Sequence, residues 1–294
     1  MRRRPDERPD LTRVGRDGLL QLAFDRRGPQ TVLTRRLFRT PLQFLEPIAL
    51  GEDGSVCAVL LNPTGGVLGG DRLVTEVDLG PGTHVCVTTP SATRVHRSAG
   101  APAVQQTRLT VGPGATLEYA PDHLIPHAGA LLEQAVHVDL SSSGRLILWD
   151  AFAVGRVARG ESWQFAALDS RLEIRREGRL LLADRLRLDG GPAPLDGGAV
   201  RLRGLGGTEG LGYVATLVAV DPAFSDWEAV AGELETALGP EPPWRAGASP
   251  LAAGGCFVRC LAESAHELAD QRKALWSLLR RRLLGRAELD LRKH

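Results

Sequence analysis

The stretch Gln106-Thr107-Arg108-Leu109-Thr110-Val111-Gly112-Pro113-Gly114-Ala115-Thr116-Leu117-Glu118-Tyr119 carries the pattern on which the fold turns. Apolar Leu109 and Val111 alternate with Arg108 and Thr110. Gly112-Pro113-Gly114 then supplies a tight turn, and Ala115, Leu117 and Tyr119 resume the alternation. Successive side chains of a strand point to opposite faces, so a period of two on both sides of a Gly-Pro-Gly predicts a β-hairpin. A second segment follows the same pattern. Leu172 and Ile174 alternate with Arg171, Glu173 and Arg175, Glu177-Gly178 turns the chain, and Leu180, Leu182, Leu186 and Leu188 return. Arginines at alternate positions predict sheets with one wet face and mostly antiparallel pairing.

Outward from these segments, short apolar runs separated by Gly, Pro, Asp and Ser recur from Leu19 to about Leu217, with no repeat of fixed period. Two helices follow. Ser225 and Glu228 form a capping box ahead of Val230, Leu234 and Leu238, which Gly239-Pro240 ends. Ser264 and Glu267 form another ahead of Leu268, Leu275, Leu279 and Leu283, with Arg280, Arg281 and Arg282 in the last turn before Gly285. The Pro/Gly-rich segment 239–255 between them reads as a mobile or partner-contacting loop. The fold class is therefore mainly β: a many-stranded antiparallel/mixed β-rich single domain with two C-terminal α-helices packed on it. Residues 1–13 are expected to be a disordered N-terminal tail, 14–288 the domain with helices at about 226–238 and 265–284, and 289–294 a short tail.

Composition narrows the function classes. Among 294 residues, 36 basic and 35 acidic groups leave a net charge of +1, which gives no long-range field for nucleic acid or an anionic membrane. Four cysteines, Cys57, Cys86, Cys256 and Cys260, do not make a disulfide framework in so long a chain. No apolar run approaches the ~18 residues of a membrane helix, and no apolar stretch follows Arg2, Arg3 and Arg4 as a secretory leader requires. The expected location is the cytoplasm.

The densest motif is Asn62-Pro63-Thr64-Gly65-Gly66-Val67-Leu68-Gly69-Gly70-Asp71. It lacks the Gly-Lys-Ser/Thr ending and the following helix of a phosphate loop, so it reads as a tight turn built on Gly65, Gly66, Gly69 and Gly70. His123 and His127 have the spacing of a helical metal pair. Pro121 and Pro126 oppose a helix there, which leaves a loop-borne metal contact beside the reading as ordinary loop histidines. Cys256 and Cys260 face one side of a strand without a second pair to complete a zinc site, and read as buried thiols. No nucleophile elbow, metalloprotease helix or catalytic-cysteine signature is present. Acidic residues in strand context (Asp71, Glu118, Asp150, Glu161, Glu173) keep open a carbohydrate hydrolase using paired carboxylates. A metal-independent β adaptor that uses its C-terminal helices is the third class.

Several blocks resemble the UreD (UreH) family of urease accessory proteins. The glycine motif, continued by Arg72-Leu73, is similar to the family's H-P-P-G-G-I-V-G-G-D-R-L. Val85-Cys86-Val87-Thr88-Thr89-Pro90-Ser91-Ala92-Thr93-Arg94-Val95-His96-Arg97-Ser98 resembles L-L-T-T-P-G-A-T-K-F-Y-R-S, and residues 114–122 resemble G-A-x-L-E-W-x-P-Q. Leu148-Trp149-Asp150, Gly155-Arg156, Gly160-Glu161, Arg171-Leu172-Glu173-Ile174 and Asp184-Arg185-Leu186 follow in the family's order, and Leu275-Trp276-Ser277-Leu278-Leu279-Arg280 looks like L-W-x-L-L-R. The chain departs from the pattern at Asn62, at Thr64, in the stretch from His123 to His127 and in its last residues.

The resemblance implies a β-rich non-enzymatic scaffold that binds UreF and, through UreF, the GTPase UreG, docks on apo-urease and passes nickel to it. It implies no stably bound cofactor, only transient Ni²⁺, and no nucleic-acid or membrane partner. An ion in transit needs weak successive sites, for which carboxylates, hydroxyls and water suit better than thiolates. On that logic Asp71, Thr88, Asp150 and Glu161 are candidate passage-lining groups, with Glu173 added and Arg156 orienting a carboxylate. A further expectation is an exposed apolar patch that a partner covers.

Overall fold

A computed structural model describes residues 16–190, 207–238 and 246–291. The expected N-terminal tail, the first seven residues of the 239–255 segment and the last three residues of the chain lie outside the described residues. Twenty strands and two α-helices make up the described part. The first eight strands are β1 (Asp17–Arg27), β2 (Gln30–Arg39), β3 (Gln43–Phe44), β4 (Ile48–Ala49), β5 (Val56–Leu61), β6 (Arg72–Leu79), β7 (His84–Thr88) and β8 (Thr93–Val95). Next come β9 (Ala103–Val111), β10 (Thr116–Tyr119), β11 (Leu124–Pro126), β12 (Leu131–Leu140), β13 (Arg145–Ala153), β14 (Gly155–Arg156), β15 (Glu161–Ser162) and β16 (Ala167–Arg176). The chain finishes with β17 (Arg179–Asp189), β18 (Tyr213–Val220), α1 (Trp227–Ala237), β19 (Ala246–Pro250), β20 (Cys256–Ala262) and α2 (Ala265–Leu284).

Two large sheets face each other. The front sheet has the order β17-β16-β12-β9-β6-β1-β2, and the main path of the back sheet runs β19-β20-β18-β13-β10-β7-β5-β3. Their inner faces share one apolar core, to which Leu20, Leu109, Leu132 and Leu168 come from the front and Val85, Leu117, Leu146 and Val218 from the back. A second core lies on the other side of the back sheet, where Ile147, Trp149 and Leu217 meet Val230 and Leu234 of α1 and Leu275 and Leu279 of α2. This layering explains the sequence texture. Every residue of β18 is buried, as expected for a strand covered on both faces, whereas β12 and β16 alternate because the front sheet keeps a wet outer face. No helix of the described residues is long and apolar enough to cross a membrane.

The pairing corrects the expectation of mostly antiparallel sheets. At the centre, β1, β6, β9, β12 and β16 are parallel neighbours, and so are β5, β7, β10 and β13. Antiparallel pairs lie at the margins, as in β1–β2, β16–β17 and β13–β18–β20. A parallel neighbour is reached here by crossing to the opposite sheet and back, so no helix has to cover the front face. The chain consequently climbs in rungs. Val56 pairs Val85, His84 pairs Thr116 and Thr116 pairs Arg145, steps of 29, 32 and 29 residues. A repeat therefore exists, but its period is not fixed.

The segment 106–119 is not a hairpin. Its two halves belong to different sheets, and Gly112-Pro113-Gly114 is the corner between them. The corners stack: Gly112 N–H donates to Leu79 O at 2.9 Å, Gly82 N–H to Pro113 O at 2.9 Å, and Gly114 N–H to the Ser143 hydroxyl at 2.9 Å. A Cβ on Gly112 would stand 2.6 Å from the Leu79 carbonyl oxygen, so the stacking itself demands glycine. The second segment is the hairpin expected. β16 and β17 pair antiparallel across Glu177 and Gly178, which both take positive φ (48° and 73°) as a two-residue turn requires.

Both helices form where expected, with one cap corrected. Asp226, not Ser225, caps α1 by accepting from Ala229 N–H at 3.3 Å. Ser264 caps α2 by accepting from Glu267 N–H at 3.1 Å, and Gly285 ends it at φ 62°. The described part of the 239–255 segment is more ordered than expected. Ala246–Pro250 is an edge strand on β20, and Glu235 of α1 accepts from its Ala248 N–H at 3.1 Å.

Candidate functional site

The inner faces of both sheets are apolar except along one line. On β12, β16, β18 and β13 the inward series Leu132-Gln134-Val136, Leu168-Ser170-Leu172, Val214-Thr216-Val218 and Leu148-Asp150-Phe152 each contain a single polar member. Strand register turns these into a row. Gln105 of β9 pairs Gln134, which pairs Ser170, and in the back sheet Asp150 pairs Thr216, which pairs Arg259 of β20.

Hydrogen bonds join the rows across the core. The Gln134 amide donates to both Asp150 oxygens at 3.2 and 3.0 Å and reaches the Ser170 hydroxyl at 3.3 Å. Arg259 donates to Thr216 at 2.7 Å and to Asp184 of β17 at 2.9 and 2.8 Å. The Asp184–Arg259 pair is partly exposed, at 21% and 30% of the side-chain surface, so the row reaches solvent at that margin. Toward the other margin, Thr107 and Tyr119 stand at the floor of a cleft of about 200 Å³. Its rim includes Asn62, Gly65, Gly66, Thr89, Ser91 and Arg94. The Gln105 side-chain oxygen, also at this floor, is buried with no hydrogen-bond partner among the described residues.

Burial sets the electrostatics. It pushes the Asp150 carboxyl up to about 7, against the Gln134 hydrogen bond and the Arg259 charge that favour ionisation, with Asp184 adding to the rise. Burial, with the Asp150 charge behind it, also raises the Tyr119 hydroxyl, which bonds to Thr107. A carboxyl held near neutrality exchanges its proton readily for another cation. Apart from the Arg259 guanidinium, the row offers carboxylate, amide and hydroxyl oxygens, the set that hard or borderline divalent ions accept without being trapped. Among the described residues no group of three or more His, Cys, Asp or Glu side chains is arranged to hold a metal ion.

Of the residues singled out from sequence, Asp150 lies in this row and the others lie elsewhere. Asp71 is buried, accepts from Leu68 N–H at 2.8 Å and closes the glycine turn. Burial raises its carboxyl, partly offset by that bond. Thr88, at the end of β7, is buried and donates to Ala120 O at 2.6 Å. Arg156 and Glu161 form a forked ion pair between β14 and β15. Glu173 is on the wet face of β16, paired to Arg175 at 2.6 Å. Gly65, Gly66 and Gly70 take positive φ (82°, 148° and 87°), and Gly69 packs against Ser98, so the motif is a tight turn. His123 and His127 flank β11 without a helix, as Pro121 and Pro126 required, and each ring has a different partner. His123 packs edge-on against Tyr213 with ring centroids 5.4 Å apart, and His127 packs against His96 at 4.9 Å.

Gln134, Ser170, Asp184, Thr216 and Arg259 were not singled out from sequence. Their signal was there, as a lone polar residue at an inward position of an apolar alternation, but it becomes visible only once the inward face is known. The most deeply buried acid among the described residues, Glu118, was singled out from sequence only as an acid in strand context, and it faces away from the row. It accepts from His84 at 2.7 Å, from the Trp276 indole at 2.6 Å and from Arg280, and so ties α2 to the back sheet. Glu118 is fully buried, and His84 and Arg280 nearly so. These contacts give a physical reason why the L-E and L-W-x-L-L-R motifs stand together in one chain.

Leu37 and Phe38 of β2 are exposed, as are Leu45 after β3 and Ile48 of β4, and the Phe38 and Phe44 rings stand 6.2 Å apart.

Comparison with known proteins places the chain. The family model for the UreD urease accessory protein matches residues 16–293. The urease accessory protein UreD of Azoarcus sp. (strain BH72) is 35% identical over 275 residues, covering 93% of this chain and 92% of the relative. The protein of the same name from Delftia acidovorans is 36% identical over 287 residues, with 92% of each chain covered. That from Pseudomonas aeruginosa is 36% identical over 268 residues, covering 91% and 90%.

Proposed function

The chain belongs to the UreD urease accessory protein family, and from that premise we propose that it is a non-enzymatic scaffold that relays Ni²⁺ into apo-urease through its interior. The observation that supports this most is the polar row: oxygen-bearing side chains, with the Arg259 guanidinium between Thr216 and Asp184, crossing an otherwise apolar core from the cleft at Tyr119 to the partly exposed Asp184. A buried row of this kind costs stability relative to apolar packing, so a use that needs polarity accounts for it better than folding does. Asp150 is the centre of the relay. As Ni²⁺ arrives the carboxyl releases its proton to water, and as the ion leaves it takes one back, so one of the ion's two positive charges is compensated while it is in the core. Gln105, Gln134, Ser170 and Thr216 supply neutral oxygens on either side. Asp71, Thr88, Arg156 and Glu161 act instead by shaping the turns around the path, and Glu173 belongs to the outer surface.

In this reading UreF binds the scaffold, UreG joins through UreF, and the assembly docks on apo-urease in the cytoplasm. The apolar β2 margin is a surface that such a partner covers. The experiment is reconstitution of urease activation from apo-urease, UreF, UreG, nickel and bicarbonate, with this chain present or omitted. Activation that depends on the chain is expected, and full activation without it refutes the proposal.

A further inference from the structure

The two histidines that meet on the surface have no part in the row. His96 follows β8 and His127 follows β11, and these short strands pair in parallel through Val95 and Pro126. The backbone fixes both residues at the same end of that ladder, with His127 N–H donating to Val95 O at 2.8 Å and His96 N–H to Val67 O at 2.8 Å. Both side chains are half-buried, and their ring centroids stand 4.9 Å apart at 79°. Two imidazoles sharing one ion at metal–nitrogen distances of about 2.1 Å place their ring centroids about 4.5 to 5.2 Å apart for bond angles of 90–110°. The observed separation falls in that range.

We infer that His96 and His127 form a surface docking site for a first-row divalent cation, beside the cleft that leads to the polar row. The His96 Nε2 lies 3.4 Å from Gly65 O, and Gly65, Gly66 and Arg94 line that cleft. The surrounding charges set the strength of the site. Arg94 and Arg156 act on His127 against a cation, and Glu161 acts for it. Two imidazoles completed by water, under that mixed field, make a weak and exchangeable site, not a cage. In the motif quoted above the position of His96 is Tyr, and His127 falls in the stretch where the chain departs from the pattern. The site stands on its own geometry; its service to nickel delivery rests on the proposed function.

The test is equilibrium dialysis of the untagged full-length chain against Ni²⁺ and, separately, Zn²⁺, with His96→Ala, His127→Ala and His123→Ala in parallel. Folding of each variant is checked by circular dichroism, and the nickel-loaded wild type is read by X-ray absorption for imidazole back-scattering. One ion in the micromolar range is expected, weakened at least tenfold by either of the first two substitutions and unchanged by the third. No ion on the wild-type chain, or wild-type affinity in the His96 and His127 variants, overturns the site. Urease activation is read separately at limiting nickel. A slowed onset in the folded double variant supports the docking role in delivery, whereas full activation by a double variant that has lost the ion overturns that role.

Discussion

Replacing Glu118 by glutamine should undock the C-terminal helix. Glu118 is fully buried and collects three donors, His84, Trp276 and Arg280, from a strand and a helix far apart in sequence. Burial pushes its carboxyl up, but the His84 bond and the Arg280 charge outweigh that and hold it below the usual glutamate range. Its contribution is therefore complete above that range and is lost as pH falls through the lowered folded value. Glutamine keeps the shape and an acceptor for Trp276 but leaves Arg280, only 5% exposed, without its counter-charge. Breaking one side of a buried pair costs about 3–5 kcal/mol. At about 2–4 °C per kcal/mol for a chain of this size, the melting temperature should drop by roughly 6–20 °C. The second arm is Glu118→Gln with Arg280→Met, which removes the orphaned charge and should recover 2 kcal/mol or more of the loss, about the scale of coupling between contacting residues. Urea denaturation followed by circular dichroism and limited proteolysis after the 286–291 segment reads both. A Glu118→Gln loss under about 1 kcal/mol, or a double variant as weak as the two single losses added, would refute the clamp.

Asp150→Asn should show a pH-dependent gain. Asp150 holds its proton in the native state up to about 7, whereas the unfolded chain releases it near ~3.9, so native stability falls as pH rises between those values. The asparagine variant should match the wild type near pH 4 and exceed it by about 2–4 kcal/mol at pH 8; a urea-melt gap that does not widen with pH counts against the raised carboxyl. Gly155→Ala should destabilise by about 2–4 kcal/mol, because Gly155 sits at φ 127° and a Cβ would drive into the Glu161 carbonyl oxygen; thermal melting within a degree of wild type would show that the β14–β15 turn can rearrange.

The sequence disclosed more of the elements than of their arrangement. The hairpin at Glu177-Gly178 and the caps and stripe of α2 were legible because their signals are local. The rungs were not, because a Gly-Pro-Gly corner between two sheets and a Gly-containing hairpin turn leave the same alternation on either side. The corners Leu79-Gly80-Pro81-Gly82, Val111-Gly112-Pro113-Gly114 and Leu140-Ser141-Ser142-Ser143-Gly144 do recur. Their recurrence, which a lone hairpin does not require, was the available clue to parallel stacking. The site divides in the same way. Asp150 stood out as an acid in a strongly apolar strand, but Gln134, Ser170 and Thr216 gain meaning only from the register that lines them up. His127 was noticed for its spacing to His123, while its true neighbour, His96, lies 31 positions away and is brought there by the β8–β11 ladder.

The polar path is tested most directly by urease activation at limiting nickel with an Asp150→Val chain in the reconstituted complex. Valine removes the one carboxyl at the centre of the row and leaves a strand-forming apolar residue in its place, so folding and co-purification with UreF are expected to persist. Activation reduced at least tenfold, with the complex intact, is the result the relay requires. Activation at the wild-type rate by an intact complex would contradict it, because nickel would then be reaching urease by a route that does not use the interior of this chain.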